Sequence, residues 1–189
     1  MHNIPMYQNW NLSLTGTNIS ITPISPSDLE PYSRLMFGSF FDQENSFLGR
    51  LAASDFVKIL SHQSEDEMHA IRPVDSDKFI GWIILQNDDN LPDIGISLID
   101  EYQNKGYGPE AIKLYSNWLH EEYGLSEVYA RISEDNLQSQ RAFSKIGAVK
   151  YRSGKNQIAE KLDALLPGTR SGDTKRSDTG FYKIHLPIV

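Results

Sequence analysis

Apolar and polar positions alternate in ISITPIS (19–25), the period of a half-buried strand. Behind it, SPSDLEPYSRLMFGSF puts Leu29, Tyr32, Leu35 and Met36 on one face of a helix that Ser27 or Asp28 can cap. SDFVKILSHQ (54–63) reads as a second short helix, started by Ser54 or Asp55. EMHAIRPV (67–74) and KFIGWIILQ (78–86) read as strands joined by a turn through Asp75, Ser76 and Asp77. NDDN (87–90) makes another turn, and PDIGISLID (92–100) a third strand. Gly95 inside that strand predicts a bulge or a close backbone approach.

The strongest helical period lies in PEAIKLYSNWLHEEYG (109–124), where Ala111, Leu114, Tyr115, Trp118 and Leu119 share a face. Pro109 suits its first turn, Glu110 its positive end, and Gly124 its stop. SEVYARIS (126–133) is a strand pattern, and DNLQSQRAFSKIG (135–147) a helix with Asp135 or Asn136 as cap. AVKYRS (148–153) returns to strand, and NQIAEKLDALLPG (156–168) predicts one more amphipathic helix. A polar loop (169–180) then leads to a closing strand, FYKIHLPIV. Residues 1–17 read as an extended arm. The alternation of elements, without an internal repeat, predicts one mixed α/β domain over 1–189.

Composition narrows the function. Apolar residues make up 39% of the 189, enough for a real core. A net charge of −7 argues against nucleic acid as the main partner, because a phosphate backbone needs a basic face. With no cysteine, disulfides, thiolate zinc sites and a cysteine nucleophile are all excluded. No apolar run approaches a membrane span, and MHNIPMYQNW lacks the layout of a secretory signal, so a cytoplasmic protein is expected.

QNKGYG (103–108) sits at a strand-to-helix junction. The start of a helix has free N–H groups and the positive end of the dipole. Gly106 and Gly108 let the loop curl and let a bulky anion approach, while Gln103 and Lys105 can add contacts. The string lacks the lysine–serine pair of an ATP-binding loop and the setting of a dinucleotide fold, so a general nucleotide-binding domain is a weaker reading. A plain glycine turn without a ligand is the other alternative.

Residues 93–152 resemble the core of a GCN5-related N-acetyltransferase (GNAT). The resemblance is to the branch that acetylates ribosomal-protein N-termini, spermidine and other small amines. That family's pyrophosphate loop is Gln/Arg-x-x-Gly-x-Gly/Ala, matched by Gln103, Gly106 and Gly108. Asn136 and Gly147 match the Asn that opens, and the Gly that ends, its next helix. Asp93 and Gly95 match an acidic residue two before a glycine in the preceding strand.

The resemblance implies a GNAT fold: a mixed sheet of six or seven strands, helices on both faces, and two central parallel strands splayed at a bulge. It implies acetyl-CoA as co-substrate, no metal, and an amine acceptor. The pantetheine arm would lie along Ile96, Ser97, Leu98 and Ile99. The pyrophosphate would be held by the backbone of Gln103, Asn104, Lys105, Gly106, Tyr107 and Gly108. Asp93 becomes a candidate general base, directly or through water; the alternative is a solvated strand-end carboxylate. Asn136 is a helix cap that can also contact the cofactor. Many relatives place a tyrosine seven residues after this Asn as the acid for the leaving thiolate; here it is Phe143, which has no proton to give and serves core or cofactor packing. Ser139 is left as candidate acid, with water as its competitor.

His2, His62, His69, His120 and His185 form no metal-ligand spacing. Glu65, Asp66, Glu67, Asp88 and Asp89 are solvated turns or an acidic lip for a cationic amine. Tyr32 and Trp82 read as core, and the aromatics of MFGSFFDQENSF as core or wall of the acceptor site. The stretch 156–180 is longer than the family's usual connection, and can cover the acceptor site, form a dimer contact, or do neither. The expected protein is a monomer or homodimer that moves acetyl from acetyl-CoA to a primary amine. The rival from another class is a catalytically silent acyl-CoA-binding module.

Overall fold

The computed structural model describes residues 11–37, 54, 57–59, 67–88, 91–154 and 178–189. The predicted helix at 156–168, most of the helix at 54–63, most of the loop at 169–180 and the side chains of Phe37, Phe40, Phe41 and Phe47 lie outside that set.

The chain opens with two antiparallel strands, β1 (Leu14–Thr15) and β2 (Ile19–Pro23). A 3-10 turn, Pro26–Asp28, runs into α1 (Leu29–Phe37). Then come β3 (Glu67–Pro73), β4 (Gly81–Asp88) and β5 (Leu91–Leu98). A second 3-10 turn, Asp100–Tyr102, leads to α2 (Tyr107–Tyr123) and β6 (Glu127–Ser133). The last elements are α3 (Leu137–Lys145), β7 (Val149–Gly154) and β8 (Thr179–His185).

One eight-stranded sheet results, in the order β1-β2-β3-β4-β5-β6-β8-β7. Its extra strand is β1, in what the sequence suggested was an arm. Every pairing is antiparallel except β5 with β6. Both faces are covered, which explains why β3 is buried almost throughout. On one face Ala111, Ile112, Tyr115 and Leu119 of α2 and Phe143 of α3 pack against Ile71, Ile83, Ile94 and Val128. On the other, Tyr32 of α1 packs with Met68, Ala70 and Ile84, and Trp82 joins them partly buried. Each fully buried Ile or Leu contributes roughly 1.5–3 kcal/mol over leaving it exposed.

Three details differ from the sequence reading. The cap is Ser25, which starts the 3-10 turn; its N–H donates to Asp28 Oδ2 at 2.8 Å. Asp28 is buried, because both its oxygens accept from the Arg72 guanidinium, at 3.0 and 2.7 Å. Gly95 makes no bulge against β4, where the register runs unbroken from Gly81↔Leu98 to Asp88↔Leu91. A Cβ there would instead sit 2.7 Å from Ile84 Cγ2, so the glycine makes room for a neighbouring side chain. Glu67 is buried, with Oε1 3.3 Å from His69 Nε2, and so is no part of an acidic lip. Glu65, Asp66 and Asp89, and the Asp88 side chain, lie outside the described residues.

Candidate active site

The site begins where two parallel strands part. β5 and β6 share one register pair, Asp93↔Tyr129. Beyond it β5 runs on to Leu98 and β6 to Ser133 without further pairing. Side chains alternate along β5, so Ile96 and Leu98 lie on the α2 face and Ser97 on the opposite one. All three line one cleft of about 710 Å³, which runs along the stretch of β5 that β6 leaves unpaired.

The loop 103–108 forms the second wall. Gln103, Asn104, Gly106 and Gly108 line the cleft. Asn104 (φ +60°) and Gly106 (φ +89°) both take left-handed backbone, which curls the loop over the start of α2. The first helical bond there is Glu110 N–H to Gly106 O, at 3.2 Å. The N–H groups of Tyr107 and Gly108 precede it, and Pro109 has none to offer. A Cβ added at Gly106 would meet nothing within 4 Å, and one at Gly108 only Leu98 Cδ1 at 3.7 Å. The space beside these glycines thus opens to the cleft, a cradle fit for an anion.

The Gln103 side chain turns inward. Its Nε2 donates to Leu98 O at 2.7 Å and to Asp100 Oδ1 at 2.9 Å, bracing the loop against β5. Lys105 does not line the cleft; its Nζ lies 5.4 Å from the centre of the Tyr102 ring. Tyr107 packs against the main core and stands 6.3 Å from Tyr102, ring to ring. Ile99 packs on the other face, and its N–H donates to Ile80 O at 2.9 Å.

Helix α3 forms the third wall. Asn136 is its N-cap, with Oδ1 accepting from Ser139 N–H at 3.0 Å, and both residues line the cleft. Phe143 points away from it, buried in the main core.

Asp93 lies on the face of β5 opposite Ile94 and is buried. Arg131 Nε meets its Oδ2 at 2.7 Å. Arg131 is two residues beyond Tyr129, so the ion pair is a diagonal stitch where the strands part. With Tyr129, Tyr151 and Phe181 the pair lines a small recess on that face. Tyr129 OH donates to Glu127 Oε2 at 2.8 Å; burial first, then this bond, pushes the phenol up to about 12.

Sequence reasoning missed Arg131 on β6, and Leu137, Arg141 and Lys145 on α3, which also line the cleft. The signal for the last three was the four-residue spacing that puts them on one stripe. Among the described residues no group of His, Cys, Asp and Glu could hold a metal ion. No described helix is long and apolar enough to cross a membrane.

Splayed parallel strands, a glycine loop at a helix start and a capped helix closing one cleft define a coenzyme-binding α/β enzyme. The acetyltransferase (GNAT) domain family matches residues 18–149, and the chain belongs to that family of acyltransferases. No curated protein matches the chain. Among solved structures, a GNAT-family acetyltransferase from Bacillus anthracis is similar with a TM-score of 0.69 at 17% identity, covering 92% of this chain and 98% of that one. RimJ of Mycobacterium smegmatis, in complex with CoA-disulfide, gives 0.65 at 13%, covering 94% and 88%. A chimera of the spermidine N-acetyltransferase SpeG from Vibrio cholerae gives 0.63 at 14%, covering 89% and 96%. At these identities the likeness is one of fold.

Proposed function

We propose that the protein transfers an acetyl group from acetyl-CoA to a primary amine, either a small molecule or a protein N-terminus. The observation that carries this is the cleft along the stretch of β5 that β6 leaves unpaired. It joins an unpaired strand edge to a loop built for an anion. Coenzyme A has both partners to offer. Its amide-rich arm needs N–H and C=O groups, and the edge of β5 needs them too. Its pyrophosphate needs clustered N–H donors, which the loop and the first turn of α2 supply.

Ile96, Ser97 and Leu98 would pair with the arm, and Asn104 to Gly108 would hold the pyrophosphate. Ile99, bonded to Ile80, is a support behind that edge. The thioester then lies in the gap, and an amine reaches it from the face of Asp93. The nitrogen attacks the carbonyl carbon, an N–C bond forms, and the tetrahedral oxyanion collapses with loss of the C–S bond. The amine's proton passes to water held by Asp93. The pair with Arg131 fixes the Asp93 carboxylate where the strands part, in place to accept a hydrogen bond from that water or from the amine. The thiolate leaves and takes a proton from Ser139 or from water. Phe143, in the core, takes no part in that step.

Calorimetric titration with acetyl-CoA, with ATP and NAD as controls, is the test of binding. Saturable binding of acetyl-CoA alone is expected, followed by thiol release with a panel of amines. Ser139→Ala should lower kcat by about tenfold or more if the hydroxyl is the acid, with KM for acetyl-CoA little changed. Binding without turnover on any amine would instead favour a silent acyl-CoA module. No binding by folded protein would overturn the assignment.

A further inference from the structure

We propose that Arg141 and Lys145 bind the 3′-phosphate of coenzyme A, so that the cleft selects the phosphorylated cofactor over its 3′-dephospho form. This rests on reading the cleft as the coenzyme A site. Leu137, Arg141 and Lys145 stand at four-residue steps on α3, and all three line the cleft. Both cations are exposed, and among the described residues no carboxylate pairs with either. That is unusual company in a chain of net charge −7. Asp135, at the head of the helix, shares a smaller recess with Arg141 but is not on the main cleft wall.

The loop and the cations divide the anionic groups of the cofactor between them. Backbone N–H groups suit the pyrophosphate, which lies deep and carries its charge over many oxygens. A phosphate monoester carries about −1.5 to −2 charges at neutral pH and is better matched by side-chain cations. Lys105 is the cation nearest the loop in sequence, but it lies over Tyr102 and off the cleft. The charge facing the cleft therefore comes from α3. Leu137, 57% exposed at the head of the same stripe, offers an apolar surface to the adenine.

The test is calorimetric titration of wild type, Arg141→Gln, Lys145→Gln and the double variant with CoA and with 3′-dephospho-CoA. Wild type should prefer CoA by about tenfold or more, the scale of a charge-assisted pair. Each single variant should lose part of that preference. The double variant should bind both compounds about as wild type binds the dephospho form. Added salt should shrink the wild-type preference. Both side chains are exposed, so the thermal midpoint of each variant should stay close to that of wild type. Equal affinities in wild type, or a preference that survives in the double variant, would overturn the inference and leave the cofactor assignment standing. Binding of neither compound would overturn both.

Discussion

Strand β5 has two edges, and they are treated in opposite ways. Toward β4 it is paired along its whole length, from Leu91↔Asp88 to Leu98↔Gly81. Toward β6 it is paired once, at Asp93↔Tyr129. Unpaired backbone groups in an interior are costly, and a fold normally pairs, covers or hydrates them. Here they open onto a cleft instead. The fold thus separates its tasks within a single strand. The β4 edge provides rigidity, which holds the other edge straight along the cleft. The glycines divide in the same way. Gly81 and Gly95 are small because protein atoms crowd them, while Gly106 and Gly108 border open space.

Breaking the closed edge should have the largest effect. A Cβ at Gly81 would fall inside contact distance of the Ser97 carbonyl oxygen and 2.7 Å from Leu98 Cδ2. Backbone cannot yield as a flexible side chain can, so Gly81→Ala should lower unfolding free energy by about 3 kcal/mol in a denaturant titration. Gly106→Ala meets no atom and carries only the strain of its φ of +89°, roughly 1–2 kcal/mol. Its main loss should fall on acetyl-CoA affinity. Equal stability losses with affinity unchanged in Gly106→Ala would mean that the two edges do not differ in kind.

A smaller effect separates the two roles of Asn136. Asn136→Ala removes the acceptor for Ser139 N–H and should cost about 1 kcal/mol of stability. Asn136→Ser can keep the cap, since a serine oxygen is an equally good acceptor at that position. If the amide also touches the cofactor, both variants lose affinity for acetyl-CoA while only alanine loses stability. If affinity falls only with alanine, the cap accounts for everything.

What was legible in the sequence was local. Period and punctuation located the described strands and helices apart from β1, because alternation and capping are local and a two-residue strand carries too little of either. The loop was readable because its glycines do a local job, curling backbone at a helix start. Contacts set by three-dimensional register were not readable. Gln103 bracing Leu98 spans a turn whose shape the string does not state. Arg131 meets Asp93 across 38 residues, diagonal to the one pair that β5 and β6 share. Gly95 could mark a bulge or a close approach, and only the unbroken register with β4 and the neighbouring Ile84 side chain tell the causes apart. Glu67 looked solvated because it follows two acids, whereas its own side chain turns inward beside His69. The cleft-facing cations were hidden for another reason. Lys105 stands within the loop yet lies over Tyr102, whereas Arg141 and Lys145 share a helix face set by spacing alone.

The smallest predicted effect concerns how the start of α2, next to the loop, is anchored. Glu110, in the first turn of α2, reaches the β1–β2 turn 92 residues away. Its Oε1 accepts from Asn18 N–H and its Oε2 from Asn18 Nδ2, each at 2.8 Å. Burial pushes this carboxyl up, but the bonds from Asn18, Ile19 and Thr17 outweigh it and leave it below its ordinary 4.5. A carboxyl lowered by folding adds stability above its unfolded value and loses it as pH falls through the folded one. Glu110 should therefore stabilise the protein fully at neutral pH and progressively less below about pH 4.5. Glu110→Gln keeps the shape and one acceptor oxygen but not the charge. It should be less stable than wild type by about 1 kcal/mol or less at pH 7, since the group is partly exposed. That deficit should shrink as the pH is lowered toward 3 in paired denaturant titrations. A deficit that stays constant would mean the bracket depends on shape and not on charge. The loop would then be held in place equally well when Glu110 is neutral.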